Sequence, residues 1–169
     1  MKEKKYNVAV VGATGLVGRT MLSILEERNF PVDNVYALAS SRSVGKCIPF
    51  KNNELIVSDL ETFDFGLAEI GLFSPGASVS AIYAPKAVDV GCVVIDNTSQ
   101  FRYEDDIPLV VSEVNPHVVG NYKKRGIIAN PNCSTIQMLV VLKPIYDVVG
   151  IERINVCTYQ AVSGTGKEA

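Results

Sequence analysis

The turn Gly12-Ala13-Thr14-Gly15-Leu16-Val17-Gly18 constrains this 169-residue chain more than any other stretch. An apolar run at residues 8–11 leads into it and reads as a strand. A helical stripe of Met21, Leu22, Ile24 and Leu25 follows and ends near Asn29 and Pro31. Strand, glycine-rich turn and helix in this order are the setting of a dinucleotide-binding fingerprint, here spaced G-x-x-G-x-x-G. Glycines such as Gly12 let the backbone approach a pyrophosphate whose charge sits at the helix N-terminus. A tight turn needs glycine for its own sake. The flanking strand and helix favour the nucleotide.

The rest of the chain repeats the alternation. Residues 34–39 read as a strand beside the first, but no acid follows to hold ribose hydroxyls. Ser40-Ser41-Arg42-Ser43-Val44-Gly45-Lys46 follows instead. Hydroxyls and a guanidinium suit a 2′-phosphate, so Ser40, Arg42 and Ser43 point to NADP over NAD, against a plain solvated loop. Residues 54–57, 70–73 and 91–96 read as further strands, the last with a structural Cys92. After the strand at 70–73 comes Ser74-Pro75-Gly76-Ala77-Ser78, a turn with a serine as candidate cap. Its helix carries Val79, Ile82, Tyr83 and Val88, and Pro85 must kink or shorten it. Strands alternating with helices imply an α/β chain with a doubly wound, mostly parallel sheet. Ligands collect at the carboxyl ends of such strands. Ser74, Asn97 and Arg102 fall on that edge, with the Gly12 loop and Cys133.

Cys133 stands in Asn130-Pro131-Asn132-Cys133-Ser134-Thr135, between an apolar strand at 126–129 and a helical pattern through Ile136, Leu139, Val140, Ile145 and Val148. That places the thiol in the first helical turn, with Ser134 and Thr135 as capping-competent neighbours. Unpaired N–H groups and the helix dipole favour a thiolate there, and the thiolate is the nucleophile. A small buried hydrophobe is the other reading of such a residue. Arg102 offers a bidentate site for phosphate or carboxylate, or else an ion pair with Glu104, Asp105 or Asp106. Pro144 marks a kink and Gly150 a helix stop; residues 153–160 then read as a long strand that packs Cys157. Near its end Gln160 is a neutral amide able to hold an anion or a carbonyl. Ser163-Gly164-Thr165-Gly166-Lys167 is not a phosphate loop of the ATPase kind. Ala161 stands where its first glycine is needed, and Glu168 where its hydroxyl is.

Bulk properties exclude other classes. A hydrophobic share of 47% supports a real core, and a net charge of −2 gives no reason to expect a nucleic-acid or anionic-membrane partner. No N-terminal apolar run is long enough for a signal peptide or span. Four scattered cysteines and one histidine, His117, suggest neither a metal site nor a disulfide framework. A reduced, cytoplasmic chain is expected.

Taken in order, GATGLVG, SSRSVGK, DNTSQFR, NPNCSTIQM and TYQAVSGTGK resemble the N-terminal half of bacterial aspartate-semialdehyde dehydrogenase. The resemblance implies a Rossmann-type NADP-binding domain over residues 1–132. Residues 133–169 would then be the nucleophile helix and first strand of an α+β catalytic and dimerisation domain. Cys133 would attack the aldehyde of aspartate 4-semialdehyde to give a thiohemiacetal; hydride passing to NADP would leave a thioester, which phosphate would cleave to aspartyl phosphate. The flow in the cell would be the reverse reduction, in lysine, threonine and methionine synthesis. Thr14, Gly15, Leu16, Val17, Arg42 and Ser43 would line the cofactor, with Ser163 and Gly164 near its nicotinamide end. Arg102 would hold phosphate, and Gln160 would orient the substrate. The family's acid–base histidine and substrate arginine would lie in a second half, so these residues alone are expected to be nearly inactive. The full-length protein would be a homodimer or tetramer. His117, after Asn115-Pro116 in an expected surface loop, matches no catalytic histidine. Two alternatives are a non-catalytic dinucleotide-binding module and a sister enzyme such as N-acetyl-gamma-glutamyl-phosphate reductase, whose cysteine motif differs.

Overall fold

The computed structural model describes residues 4–159. In chain order the elements begin with β1 (Tyr6–Val11), α1 (Leu16–Glu27), β2 (Val32–Ala39), β3 (Cys47–Phe50) and β4 (Asn53–Ile56). They continue with β5 (Ser58–Asp59), β6 (Ile70–Phe73), α2 (Ala77–Asp89), β7 (Val93–Asp96), β8 (Ile127–Ala129) and α3 (Cys133–Val149). Short 3-10 turns occupy Ser41–Ser43, Phe65–Leu67 and Pro116–Lys124. Six strands form one sheet in the order β5-β2-β1-β6-β7-β8, and every pairing in it is parallel. This is the Rossmann-type arrangement, in which the strand order reverses direction between β1 and β6.

Burial explains why β1 sits at the centre. Val8, Ala9, Val10 and Val11 are all at most 1% exposed, so both faces of this strand are covered. Successive side chains point to opposite faces. Val8 and Val10 pack with Leu22 of α1 and with Ile48 and Phe50 of β3. Ala9 and Val11 pack on the other side with Phe73, with Ala84 and Ala87 of α2, and with Val94 and Ile127. Phe63, Phe65 and Phe73 extend that second core as a chain of ring contacts at 5.2 and 5.9 Å.

Several local expectations are corrected. Residues 54–57 do contain a strand, β4, but it pairs antiparallel with β3 outside the parallel sheet. The hairpin escaped notice because Pro49 interrupts the apolar pattern of β3 and because its turn uses Lys51 at φ 52° in place of glycine. Pro85 does not end α2, which runs on to Asp89. A proline removes a single helical hydrogen bond, and the flanking Ala84 and Ala87, fully buried on the sheet, hold the helix across that gap. No serine caps α2; Gly76 takes the N-cap position without a side-chain bond, and Ser80 turns into the core. Pro144 lies inside α3, which ends at Val149 and is stopped, as expected, by Gly150 at φ 70°. Residues 153–159 form no strand, since no described strand pairs with them, and Cys157 is exposed rather than packed. His117 is exposed on a 3-10 turn instead of in a loop.

Candidate functional site

Because the sheet is parallel, the carboxyl ends of its strands share one edge. Gly12 follows β1, Ser40 follows β2, Ser74 follows β6, Asn97 follows β7 and Asn130 follows β8. The sheet bonding continues into this edge: Ser74 N–H donates to Val11 O at 2.9 Å, and Asn97 N–H donates to Phe73 O at 2.8 Å. The residues singled out in sequence are thus brought to one rim, apart from Gln160, Ser163 and Gly164, which lie outside the described residues.

At the centre of the rim the Gly12 loop is pinned under β2, with the N–H groups of Gly12 and Ala13 both donating to Leu38 O at 2.9 and 3.1 Å. Gly12 has φ 86°, and a Cβ there would stand 2.9 Å from Ser74 O. A Cβ on Gly18 would stand 2.3 Å from Gly12 O, so helix and loop can approach only with hydrogen at that position. The N-cap of α1 is Gly15, with no side-chain cap, and Leu16 and Val17 stand 64% and 44% exposed in the first turn. Across the β1–β6 crevice the Ser74 hydroxyl is buried without a hydrogen-bond partner among the described residues. An uncapped helix N-terminus, a loop with glycine at its closest approaches and an orphaned hydroxyl fit a pyrophosphate. At the end of β2, Arg42 is exposed, and Lys46 Nζ donates to Ser43 Oγ at 3.3 Å. Three polar groups that carry no acid among them fit a phosphate ester.

Toward the β8 edge, Cys133 is the first residue of α3 and is exposed. The cap is Asn132, not Ser134 or Thr135: its Oδ1 accepts the Ser134 N–H at 2.9 Å and lies 3.9 Å from the Cys133 Sγ. The N–H groups of Cys133 and Thr135 have no intrahelical partner by position. Arg102 pairs with none of Glu104, Asp105 and Asp106. Its Nε donates to Asn130 O at 3.0 Å and its Nη2 to Asn97 O at 3.1 Å. Asp106 instead pairs with Arg125 at 2.9 Å. Two of the five guanidinium N–H groups are used, and the edge bearing Nη1 stays open among the described residues.

Asp96, Asn130 and Asn132 were not anticipated. Asp96 is fully buried, and its carboxylate accepts the Thr98 N–H at 2.8 Å, the Thr98 hydroxyl at 2.9 Å and the Ser80 hydroxyl at 3.2 Å. Burial pushes its carboxyl above the usual range, against the pull of those donors and of the Arg102 charge. The signal was the order Asp-Asn-Thr closing an apolar strand, since an aspartate there bonds the backbone two residues on. Cys92 is buried in the core, and burial pushes its thiol up to about 12. Among the described residues no group of three metal-ligating side chains occurs, and no helix is long and apolar enough to cross a membrane.

Comparison with known proteins bears directly on this rim. The semialdehyde dehydrogenase NAD-binding domain matches residues 7–122, and the semialdehyde dehydrogenase dimerisation domain matches residues 142–169. The chain belongs to the semialdehyde dehydrogenase family. It is 67% identical to an aspartate-semialdehyde dehydrogenase of Legionella pneumophila, over 98% of this chain and 48% of that protein. The crystal structure of aspartate semialdehyde dehydrogenase II complexed with ASA from Vibrio cholerae superposes with a TM-score of 0.95 at 59% identity, over 98% of this chain and 49% of that one. Aspartate semialdehyde dehydrogenase with NADP from Candida albicans gives 0.71 at 27% identity, over 88% and 48%. The resemblance to the N-terminal half of bacterial aspartate-semialdehyde dehydrogenases is borne out, and with it the Rossmann-type fold. The chain spans about half the length of the curated relatives it matches.

Proposed function

We propose that this chain provides the NADP-binding domain and the nucleophile of an aspartate-semialdehyde dehydrogenase. The reaction is aspartate 4-semialdehyde, phosphate and NADP going to aspartyl 4-phosphate and NADPH, run in reverse for amino-acid biosynthesis. The observation that carries this reading is the place of Cys133, exposed at the start of α3 and three residues after Asn130, whose carbonyl accepts from Arg102. Gly12, Thr14, Gly15, Leu16, Val17 and Ser74 would hold the pyrophosphate region. Ser40, Arg42 and Ser43 would hold the 2′-phosphate, and Asn97, Ser163 and Gly164 would lie toward the nicotinamide end. NADP, when bound, supplies the hydride acceptor. Cys133 Sγ would bond to the aldehyde carbon as a thiohemiacetal, whose C–H bond breaks as its hydrogen leaves as hydride to that acceptor and whose hydroxyl gives up its proton, so that the sulfur carries the acyl group as a thioester. Arg102 holds phosphate by its open edge; a phosphate oxygen then bonds to the acyl carbon as the C–S bond breaks and the thiolate leaves. Gln160 orients the substrate.

In this reading residues 1–132 form the cofactor domain, and 133–169 begin the catalytic and dimerisation domain. The full-length protein is a cytoplasmic homodimer or tetramer, and these 169 residues alone turn over little substrate. NAD is the second reading, because Asp59 lies in register with Ala39 and puts a carboxylate beside the end of β2. Alkylation by iodoacetamide near neutral pH tests the nucleophile. Cys47 and Cys157 are also exposed but lack the helix N-terminus, and Glu54 beside Cys47 pushes its thiol up, so Cys133 should react about tenfold faster or more. Equal rates at the three would favour a binding module whose cysteine has no chemical role.

A further inference from the structure

Asn97 and Asn130 leave the ends of adjacent strands and are joined twice over. Asn130 Nδ2 donates to Asn97 Oδ1 at 2.6 Å, and the backbone carbonyls of the same two residues accept the Nε and Nη2 protons of Arg102 at 3.0 and 3.1 Å. Asn130 is further tied to β7 by its N–H, which donates to Asp96 O at 3.1 Å. Pro131 and the cap Asn132 separate Asn130 from Cys133, and a proline fixes one of the few torsions in between. Arg102 and the start of α3 therefore hang on one rigid corner. The two carbonyls take one edge of the guanidinium, which leaves the Nη1 edge, with its parallel N–H pair, without a partner among the described residues and available as a fork for an oxyanion.

We propose that the Asn97–Asn130 amide bridge is a positioning device that fixes the open Arg102 fork relative to Cys133, so that an oxyanion held by Arg102 meets the sulfur. This rests on the reading of Cys133 as nucleophile and Arg102 as anion holder. Neither asparagine need touch the reacting atoms; both act through the arginine. A bridge serving the sheet alone would leave the relation between anion and thiol unchanged when cut, because Arg102 is held by backbone carbonyls that an alanine retains.

The test compares alkylation of Cys133 by iodoacetate, an anion, and by iodoacetamide, its neutral counterpart, with and without inorganic phosphate. The native chain should favour iodoacetate at Cys133 relative to Cys47, and phosphate should suppress that preference. Asn130→Ala should lower the iodoacetate-to-iodoacetamide ratio by about five- to tenfold, the scale of one charge-assisted contact, and weaken phosphate protection to match. The iodoacetamide rate should hold steady. Asn97→Ala cuts the same bridge from the other side and serves if Asn130→Ala does not fold; the double variant should be no worse than either single. If both asparagine variants keep the native ratio and protection while Arg102→Ala loses them, the positioning role is overturned and the anion site stands. If Arg102→Ala keeps them too, the reading of Arg102 falls and the proposal falls with it.

Discussion

Gly18 has no room for a methyl group, although it lies inside a helix where alanine is the better former. A Cβ at this position would come within 2.3 Å of Gly12 O, 2.8 Å of Gly12 C and 2.8 Å of Ala13 Cα, all main-chain atoms that cannot swing aside. Helix propensity would favour Gly18→Ala by about 1 kcal/mol, whereas overpacking of this kind costs about 1–3 kcal/mol. The clash should win. Gly18→Ala should lower the urea midpoint and, by pushing α1 off the loop, weaken dinucleotide binding as well; a stabilised variant would refute the close approach. Asp96 makes a second residue-scale prediction. Its folded carboxyl titrates above the ordinary 3.8, so the folded chain keeps a proton that the unfolded chain has released. That contribution is fully present below the unfolded value and is lost as pH rises through the raised folded one. The stability of the native chain relative to Asp96→Asn should therefore fall as pH rises above the ordinary carboxyl value, read from urea midpoints. A difference that grows with pH would contradict the raised value.

Elements differ in how much of the core they carry. Leu22 of α1 is 2% exposed within the β1 core, whereas Val148 of α3 is 83% exposed. Leu22→Ala should cost about 2–5 kcal/mol, and Val148→Ser should stay within about 0.5 kcal/mol, both from denaturant unfolding. Comparable losses would mean that α3 belongs to the same cooperative core. This contrast also explains what could be read in the chain beforehand. Apolar strands such as β1 and β6 announce themselves because burial on both faces demands continuous hydrophobicity. The β3–β4 hairpin does not, with Pro49 and Lys51 masking its pattern. The strand expected at 153–160 failed for the opposite reason: a suitable pattern makes no strand without a neighbour to bond. Pro85 lies inside α2 without cutting it short, since a helix packed or propagated on both sides can lose one hydrogen bond and continue.

At the scale of the molecule, a parallel sheet brings distant loops to one rim. Gly12, Ser74, Asn97, Arg102 and Cys133 could be placed there from the alternation of strands and helices alone. The grip on Arg102 could not, because it is made by carbonyls of residues 97 and 130, and main-chain acceptors leave no mark in side-chain identity. The bridge between Asn97 and Asn130 was hidden likewise, as two asparagines 33 positions apart carry no local pattern. The end of α3 leaves Val148 and Val149 more than 60% exposed, an apolar surface within the stretch that matches a dimerisation domain. The central claim is that the rim holds NADP, with Arg42 reading the 2′-phosphate. It is tested most directly by fluorescence titration of the chain with NADPH and with NADH, repeated on Arg42→Ala. NADPH should bind more tightly than NADH, and Arg42→Ala should remove the difference. Equal binding of the two by the native chain, or a preference for NADPH that survives Arg42→Ala, would contradict it.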